Sequence, residues 1–301
     1  MRPPYGGNSY ALELEGASAG FPSSANGGYP AGTVVVGRTA PDPVLRKHIT
    51  GIRYEDINVS CGSGMSKELA DWIGGMTTAK PSRKSGAIYT LDDLSSKTIA
   101  RLRFYDALIT AVELPELDTA SNDKAELAFT ITPDKTEIQT DRLPDIQPPQ
   151  RASQKACLRS NFRMQLGDLD CSKVNKVDAI RISVLRNPAP AIMDEVTGFT
   201  VDVSNISITL AQPSAKGFYE WFDDFVMKGK NDRTKLKSGS LQLLSPDLRE
   251  ALFTFNLMDI GIYRIAPERS ASSGRDGTIP RVRVDLYFEQ MRLAFANAAL
   301  G

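Results

Sequence analysis

Two periods organise the apolar residues of this chain. Leu69, Trp72, Ile73 and Met76 recur at i, i+3, i+4 and i+7, one stripe of an amphipathic helix. Phe218, Trp221, Phe222 and Phe225 occupy the same four phases, with Trp221 149 residues after Trp72. Ser66 and Ser214 stand where an N-cap hydroxyl would accept a free backbone N–H. Gly74-Gly75 and Gly229 stand where helices would end. The second period is two. Ile57, Val59 and Cys61 alternate before the first helix, and Ile206, Ile208 and Leu210 alternate before the second, which predicts strands with one face in a core.

The pairing extends along the chain in order. Tyr10, Leu12 and Leu14 match Phe162, Met164 and Leu166. Beyond the helices, a four-residue insertion shifts the offset to 153. Ser85-Gly86 then matches Ser238-Gly239, and Ala87, Tyr89 and Leu91 match Ser240, Gln242 and Leu244. Ala100, Leu102, Phe104 and Asp106 match Phe253, Phe255, Leu257 and Asp259 at the same offset, and Ala125, Leu127, Phe129 and Ile131 match Val282, Val284, Leu286 and Phe288. Six pairings in one order predict a tandem repeat. The expected fold class is mainly β (α+β), with two small β-barrels or sandwiches, each closed by one flanking amphipathic helix. The predicted units are 8–138 and 158–297, joined across 139–157. The stretch Pro133 to Lys155, with Pro144, Pro148 and Pro149, reads as a semi-rigid linker. The Gly-, Pro- and Ser-rich loop Phe21 to Gly32 reads as mobile or ordered by a partner.

Composition narrows the chemistry. The 36 Lys plus Arg balance the 36 Asp plus Glu, so the basic excess of a dedicated DNA-binding protein is absent. Cys61, Cys157 and Cys171 are too few for a disulfide framework and read as reduced thiols of a cytoplasmic protein. No apolar leader or membrane-length segment is visible, so no membrane insertion is expected. His48 is the only histidine, which excludes any two-histidine centre within one chain. Gly62-Ser63-Gly64-Met65-Ser66-Lys67 lacks P-loop spacing and reads as a strand-to-helix turn. Asp92-Asp93 and Asp223-Asp224 are adjacent, so they face apart on a helix and read as solvated charge. Asp106 and Asp259, at matching places in apolar strands, are expected to hydrogen-bond while buried at a strand end or turn. The basic run Lys228, Lys230, Arg233, Lys235 and Lys237 lacks interleaved aromatics for base stacking. No catalytic, cofactor-binding or metal-binding residue is assigned, and no cofactor is expected. Residues 1–150 hold 15 Lys/Arg against 19 Asp/Glu, net −4, and residues 151–301 hold 21 against 17, net +4. Opposite charge on the two halves favours alternating contact around a ring.

Several segments carry a family resemblance. They are Tyr10-Ala-Leu-Glu-Leu-Glu-Gly16, Val34-Val-Val-Gly-Arg38, Lys47-His48-Ile49-Thr50-Gly51-Ile52-Arg53-Tyr54-Glu55-Asp56-Ile57 and Met65-Ser66-Lys67-Glu68-Leu69-Ala70-Asp71-Trp72-Ile73. Together they resemble tail tube proteins of contractile phages and their Hcp-like injection-system relatives. Lys216-Gly217-Phe218-Tyr219-Glu220-Trp221-Phe222 matches the helix in the second half. The resemblance implies a non-enzymatic structural subunit whose copies close six to a ring and stack around a lumen. With two units per chain, three chains would suffice for a pseudo-hexamer. Gly32–Gly51 and Ile180–Gly198, broken by Pro41, Pro43, Pro188 and Pro190, resemble the extended arm that reaches a neighbouring subunit or ring in this family. Sheath, baseplate or cap proteins and a lumen cargo of DNA or effector are the implied partners. Assembly in the cytoplasm and residence in a virion tail or injection particle are the implied locations. A tube-end cap, hub or initiator is the alternative. A hydrolase built on His48 or paired aspartates, or an effector-binding module, is a more distant one.

Overall fold

A computed structural model describes residues 8–37, 44–77, 81–92, 97–144, 146, 157–186, 199–268 and 280–296. The fold is β-rich α+β. Its first part runs β1 (Asn8–Leu14), β2 (Ala17–Gly20), β3 (Ser24–Gly27), β4 (Pro30–Gly37), β5 (Arg46–Tyr54), β6 (Ile57–Cys61), α1 (Lys67–Thr77), β7 (Lys84–Asp92), β8 (Thr98–Leu114), β9 (Leu117–Asp118), β10 (Leu127–Thr132) and β11 (Lys135–Gln139). There follow β12 (Phe162–Leu166), β13 (Val174–Val177), β14 (Ile180–Arg186), β15 (Phe199–Val203), β16 (Ile206–Ala211), α2 (Lys216–Phe222), β17 (Lys237–Leu244), β18 (Ala251–Pro267) and β19 (Arg281–Phe295).

Antiparallel pairing orders the first sheet β1-β7-β8-β10-β6-β3 and the second β12-β17-β18-β19-β16-β13. The two orders run element for element in parallel. Phe104 lies opposite Gly86, and Leu257 lies opposite Gly239. At both glycines a Cβ would strike a carbonyl oxygen of the opening strand, that of Glu13 or of Gln165. Only glycine lets the strands approach there. β19 does alone what β10 and β11 do together, because Pro133 interrupts the first sheet's closing strand. Ile206 lies opposite Leu286 and Ile57 opposite Ile131, so Leu286 matches Ile131. The sequence pairing of Leu286 with Phe129 is therefore corrected by two residues, a slip that leaves the same faces inward.

Other expectations are corrected too. The segment from Phe21 to Gly32 contains β3, paired to β6, and the start of β4. Gly27 and Gly28 take φ of +91° and +80°, and buried Thr136 Oγ donates to the Gly28 carbonyl at 2.6 Å. Residues 135–139, read as linker, form β11 on β8. Much of the remaining linker lies outside the described residues, as do Asp93, Pro41, Pro43, Pro188 and Pro190. α1 continues through Gly74-Gly75 to Thr77, whose hydroxyl donates to the Gly74 carbonyl. α2 is capped by Ala215 without a side-chain bond, not by Ser214, because a 3-10 turn over Gln212–Ser214 leads into it.

One contiguous core spans both sheets and both helices, from Leu12, Trp72 and Phe104 to Phe218, Phe253 and Leu293. Among the described residues no helix is long and apolar enough to cross a membrane.

Candidate assembly interface

Among the described residues, the two parts of the chain meet along a seam that includes three contacts between elements. β14 adds to the edge of β8, with Ile180 opposite Leu114, Arg181 opposite Glu113 and Ile182 opposite Val112. Ile180 and Ile182 are buried there, while Arg181 Nη1 reaches Glu113 Oε2 at 3.1 Å on the exposed side. β13 adds to β9, Val177 opposite Leu117, and Lys176 meets Glu116 at 2.9 Å. The hydrogen bond to Glu116 raises the Lys176 ammonium above its ordinary value. Across the other side of the seam, α1 packs on β19. Gly74 lies where a Cβ would stand 3.7 Å from the Leu293 carbonyl oxygen.

Among the described residues the hairpin β4–β5 adds to no other strand. It is a two-stranded sheet joined through pairs such as Thr33 opposite Gly51 and Val35 opposite His48. Half of the large apolar side chains exposed among the described residues lie between Tyr29 and Ile52, with Ile49 and Ile52 more than 65% exposed. An isolated two-stranded ribbon is marginal in water, and an apolar one marks a contact surface. The sequence resemblance pointed to this segment as an arm. The hairpin at the matching place in the second part of the chain, β14–β15, is seated at one end on β8.

The chemistry-bearing candidates do not converge. His48 is exposed on β5 opposite Val35. Gly64, at φ +101°, makes the strand-to-helix turn that Gly62–Lys67 predicted, and Ser66 Oγ accepts from the Leu69 N–H at 3.2 Å. Asp223 and Asp224 share Lys228, at 2.6 and 2.9 Å, which lifts that ammonium well above its ordinary value. A π turn over Asp223–Met227 allows this sharing by drawing the fifth residue onward back to Asp223. The basic run is largely paired, Lys230 with Asp224, Arg233 with Glu289 and Lys237 with Asp168. Asp106 and Asp259 are not buried hydrogen-bonding carboxylates. Both take left-handed backbone, φ +46° and +56°, inside their long strands, beside register shifts in the β7 and β17 pairings. Asp and Asn tolerate that conformation best among non-glycine residues. Burial pushes the Cys61 and Cys157 thiols up to about 12 and Cys171 to about 11, so all three are held protonated. No group of three metal-ligating side chains occurs among the described residues.

A charged cluster absent from the sequence reading sits on the second sheet. Asp285, 5% exposed, accepts from Ser207, from Arg283 at 3.0 Å and from Arg264 at 3.0 Å. Burial opposes ionisation, but these donors outweigh it and hold the carboxyl below its usual range. Alternation hid it, since Asp285 lies between buried Val284 and Leu286 in a strand covered at this point on both faces.

No family model matches the chain, and no curated protein matches it. Similar solved structures exist at low identity. One is the anti-feeding prophage cap, the AFP tube terminating cap, at 19% identity, covering 46% of this chain and 93% of that one, TM-score 0.39. Another is the sheath/tube terminator of PVC, an extracellular contractile injection system, in its extended state, at 20% identity, 46% and 96% coverage, TM-score 0.38. A third is Hcp1 from Flavobacterium johnsoniae at 18% identity, 44% and 95% coverage, TM-score 0.29.

Proposed function

We propose that this chain is a structural subunit of the inner tube of a phage tail or contractile injection system. Its two tube-like units, 8–138 and 158–297, sit on one polypeptide, and three chains make a pseudo-hexameric ring. The observation that carries the reading is the intrachain seam, where β14 of the second unit pairs with β8 of the first and β13 of the second pairs with β9 of the first, between two sheets of the same strand order. A contact that joins unlike surfaces of equivalent units is heterologous, and heterologous contacts close into rings when the rotation fits. The resemblance of the N-terminal segments to tail tube proteins supplies the machine. Stacked rings would then enclose a lumen for DNA or an effector, within a sheath and between baseplate and cap proteins.

Negative-stain class averages of the purified full chain test this. Rings with a central hole and threefold or pseudo-sixfold symmetry are expected. Stacking into filaments assigns the shaft, and single discs that never stack assign the cap, hub or initiator. A chain that stays monomeric at the highest attainable concentration overturns the reading.

A further inference from the structure

The two surfaces that meet at the intrachain seam have counterparts that do not meet each other among the described residues. β7 releases β8 at Ala107, and β17 releases β18 at Ile260. The freed edge Ala111–Leu114 is taken by β14. Its counterpart in the second sheet, Arg264–Pro267, has no strand on it among the described residues. The counterpart of β14 is the entry to β4. The Ser204 N–H donates to the Arg181 carbonyl at 2.8 Å, and the Glu55 N–H donates to the Tyr29 carbonyl at 3.1 Å. Tyr29 therefore stands for Arg181, and Pro30 for Ile182. The helices repeat the pattern. Leu293, against α1, is 8% exposed, whereas its counterpart Ile138 on β11 is 44% exposed. The tail beyond α2 also leaves Val226 and Met227 uncovered.

We propose that the β3–β4 and β11 side of one chain docks on the β18 edge and α2 side of a second copy, in the register the intrachain seam displays. Tyr29 then lies opposite Ala266 and Pro30 opposite Ile265, while Ile138 covers the end of α2. This rests on the ring reading and assigns its interchain contact. Net −4 on the first half and +4 on the second favour the same head-to-tail order. The interchain seam differs from its template in two ways. Tyr29 and Ala266 replace the Arg181–Glu113 ion pair with an uncharged contact. The backbone of Arg181 faces β15, so alternation turns Ile180 and Ile182 toward β8. Their partners correspond to Pro267 and Ile265, and Ile182 itself to Pro30, so two proline positions withhold an N–H from the new ladder. Apolar side chains hold this joint more than ladder bonds or charge do, so it opens before the intrachain seam and responds little to salt.

The test places Tyr29→Cys and Ala266→Cys in one full-length chain and oxidises it in air with a copper catalyst. Two thiols lose two electrons and two protons to oxygen as each S–S bond forms. Covalent species ending at a closed trimer, reversed by reductant and absent from either single variant, are expected. Ile138→Asp, at an exposed site, is expected to weaken assembly at least tenfold in sedimentation without lowering the melting temperature of the dilute, dissociated chain. Rings that form without the Tyr29–Ala266 crosslink and ignore Ile138→Asp overturn this contact while leaving the ring. Absence of any assembly by the unmodified chain overturns the ring reading itself.

Discussion

The two helices share an apolar stripe but not their surroundings. α1 is enclosed by its own sheet and by β19, and Trp72 stacks on Phe104 with centroids 6.4 Å apart while its indole N–H donates to the Ser82 carbonyl at 2.7 Å. Among the described residues α2 packs mainly on β18 of its own sheet. Trp221 meets Phe225 edge-on and Lys237 over its ring at 5.5 Å, and its buried indole nitrogen finds no partner among the described residues. An orphaned N–H of that kind costs about 1–3 kcal/mol. The same helical stripe is thus a fully used element at the seam and a partly used one at the open end. An element repeated in sequence need not repeat its energetics when only one copy has its neighbour in place.

The largest effect that would sharpen this contrast comes from the tryptophans. Trp72→Ala is expected to cost about 3–5 kcal/mol through its cavity and lost stacking. Trp221→Ala should cost less, by about 1 kcal/mol or more, because its N–H contributes no bond that the variant loses. Urea denaturation of the dilute chain gives both values, and equal costs would break the contrast.

Gly74 tests the enclosure of α1 directly. Alanine there meets the Leu293 carbonyl at ordinary contact distance and removes a helix-interior glycine, so Gly74→Ala should stabilise by about 0.5–1 kcal/mol. Gly74→Leu must push β19 away and should destabilise by about 1–3 kcal/mol. If leucine is as welcome as alanine, α1 is not confined by β19. Thermal unfolding of the three chains side by side decides it.

Much of this was legible beforehand. The apolar stripe of Leu69, Trp72, Ile73 and Met76 gave α1, and alternation in 57–61 and 206–210 gave β6 and β16 nearly to the residue. Gly74-Gly75 misled because glycine serves close packing as well as helix ends, and only the position of β19 tells which. The matching of Asp106 with Asp259 was visible, but not that both need left-handed backbone, since a side chain does not announce its φ. The pairing of Arg181 with Glu113 spans 68 residues and leaves no local periodicity.

Acid separates the sheets in another way, because the first has no counterpart of Asp285, its place being taken by Thr130. The folded pKa of Asp285 lies below its unfolded value, near 3.9 for an ordinary aspartate. Its contribution is therefore complete above that value and is lost as pH falls through the folded pKa. Asp285→Asn should cost about 1–3 kcal/mol at pH 7, and the gap to the unmodified chain should close below about pH 4. Denaturant midpoints from pH 7 down to pH 3 measure it, and a gap that widened in acid would refute the assignment.

The smallest effect belongs to the ion pair on the seam. Arg181 and Glu113 lie 3.1 Å apart, with side chains 54% and 45% exposed, so water and salt screen their attraction. A double-mutant cycle through Arg181→Gln and Glu113→Gln should yield a coupling of about 0.2–1 kcal/mol that fades in high salt. The strength of the intrachain seam must then reside in Ile180, Ile182, Val112 and Leu114, all buried beneath the pair. Ile182→Ala, losing a buried side chain, should cost about 2–5 kcal/mol and persist at any ionic strength. If the ion pair instead proved the stronger contribution, apolar burial would not be what holds these sheets together. An uncharged contact between chains at Tyr29 and Ala266 would then lose its physical basis.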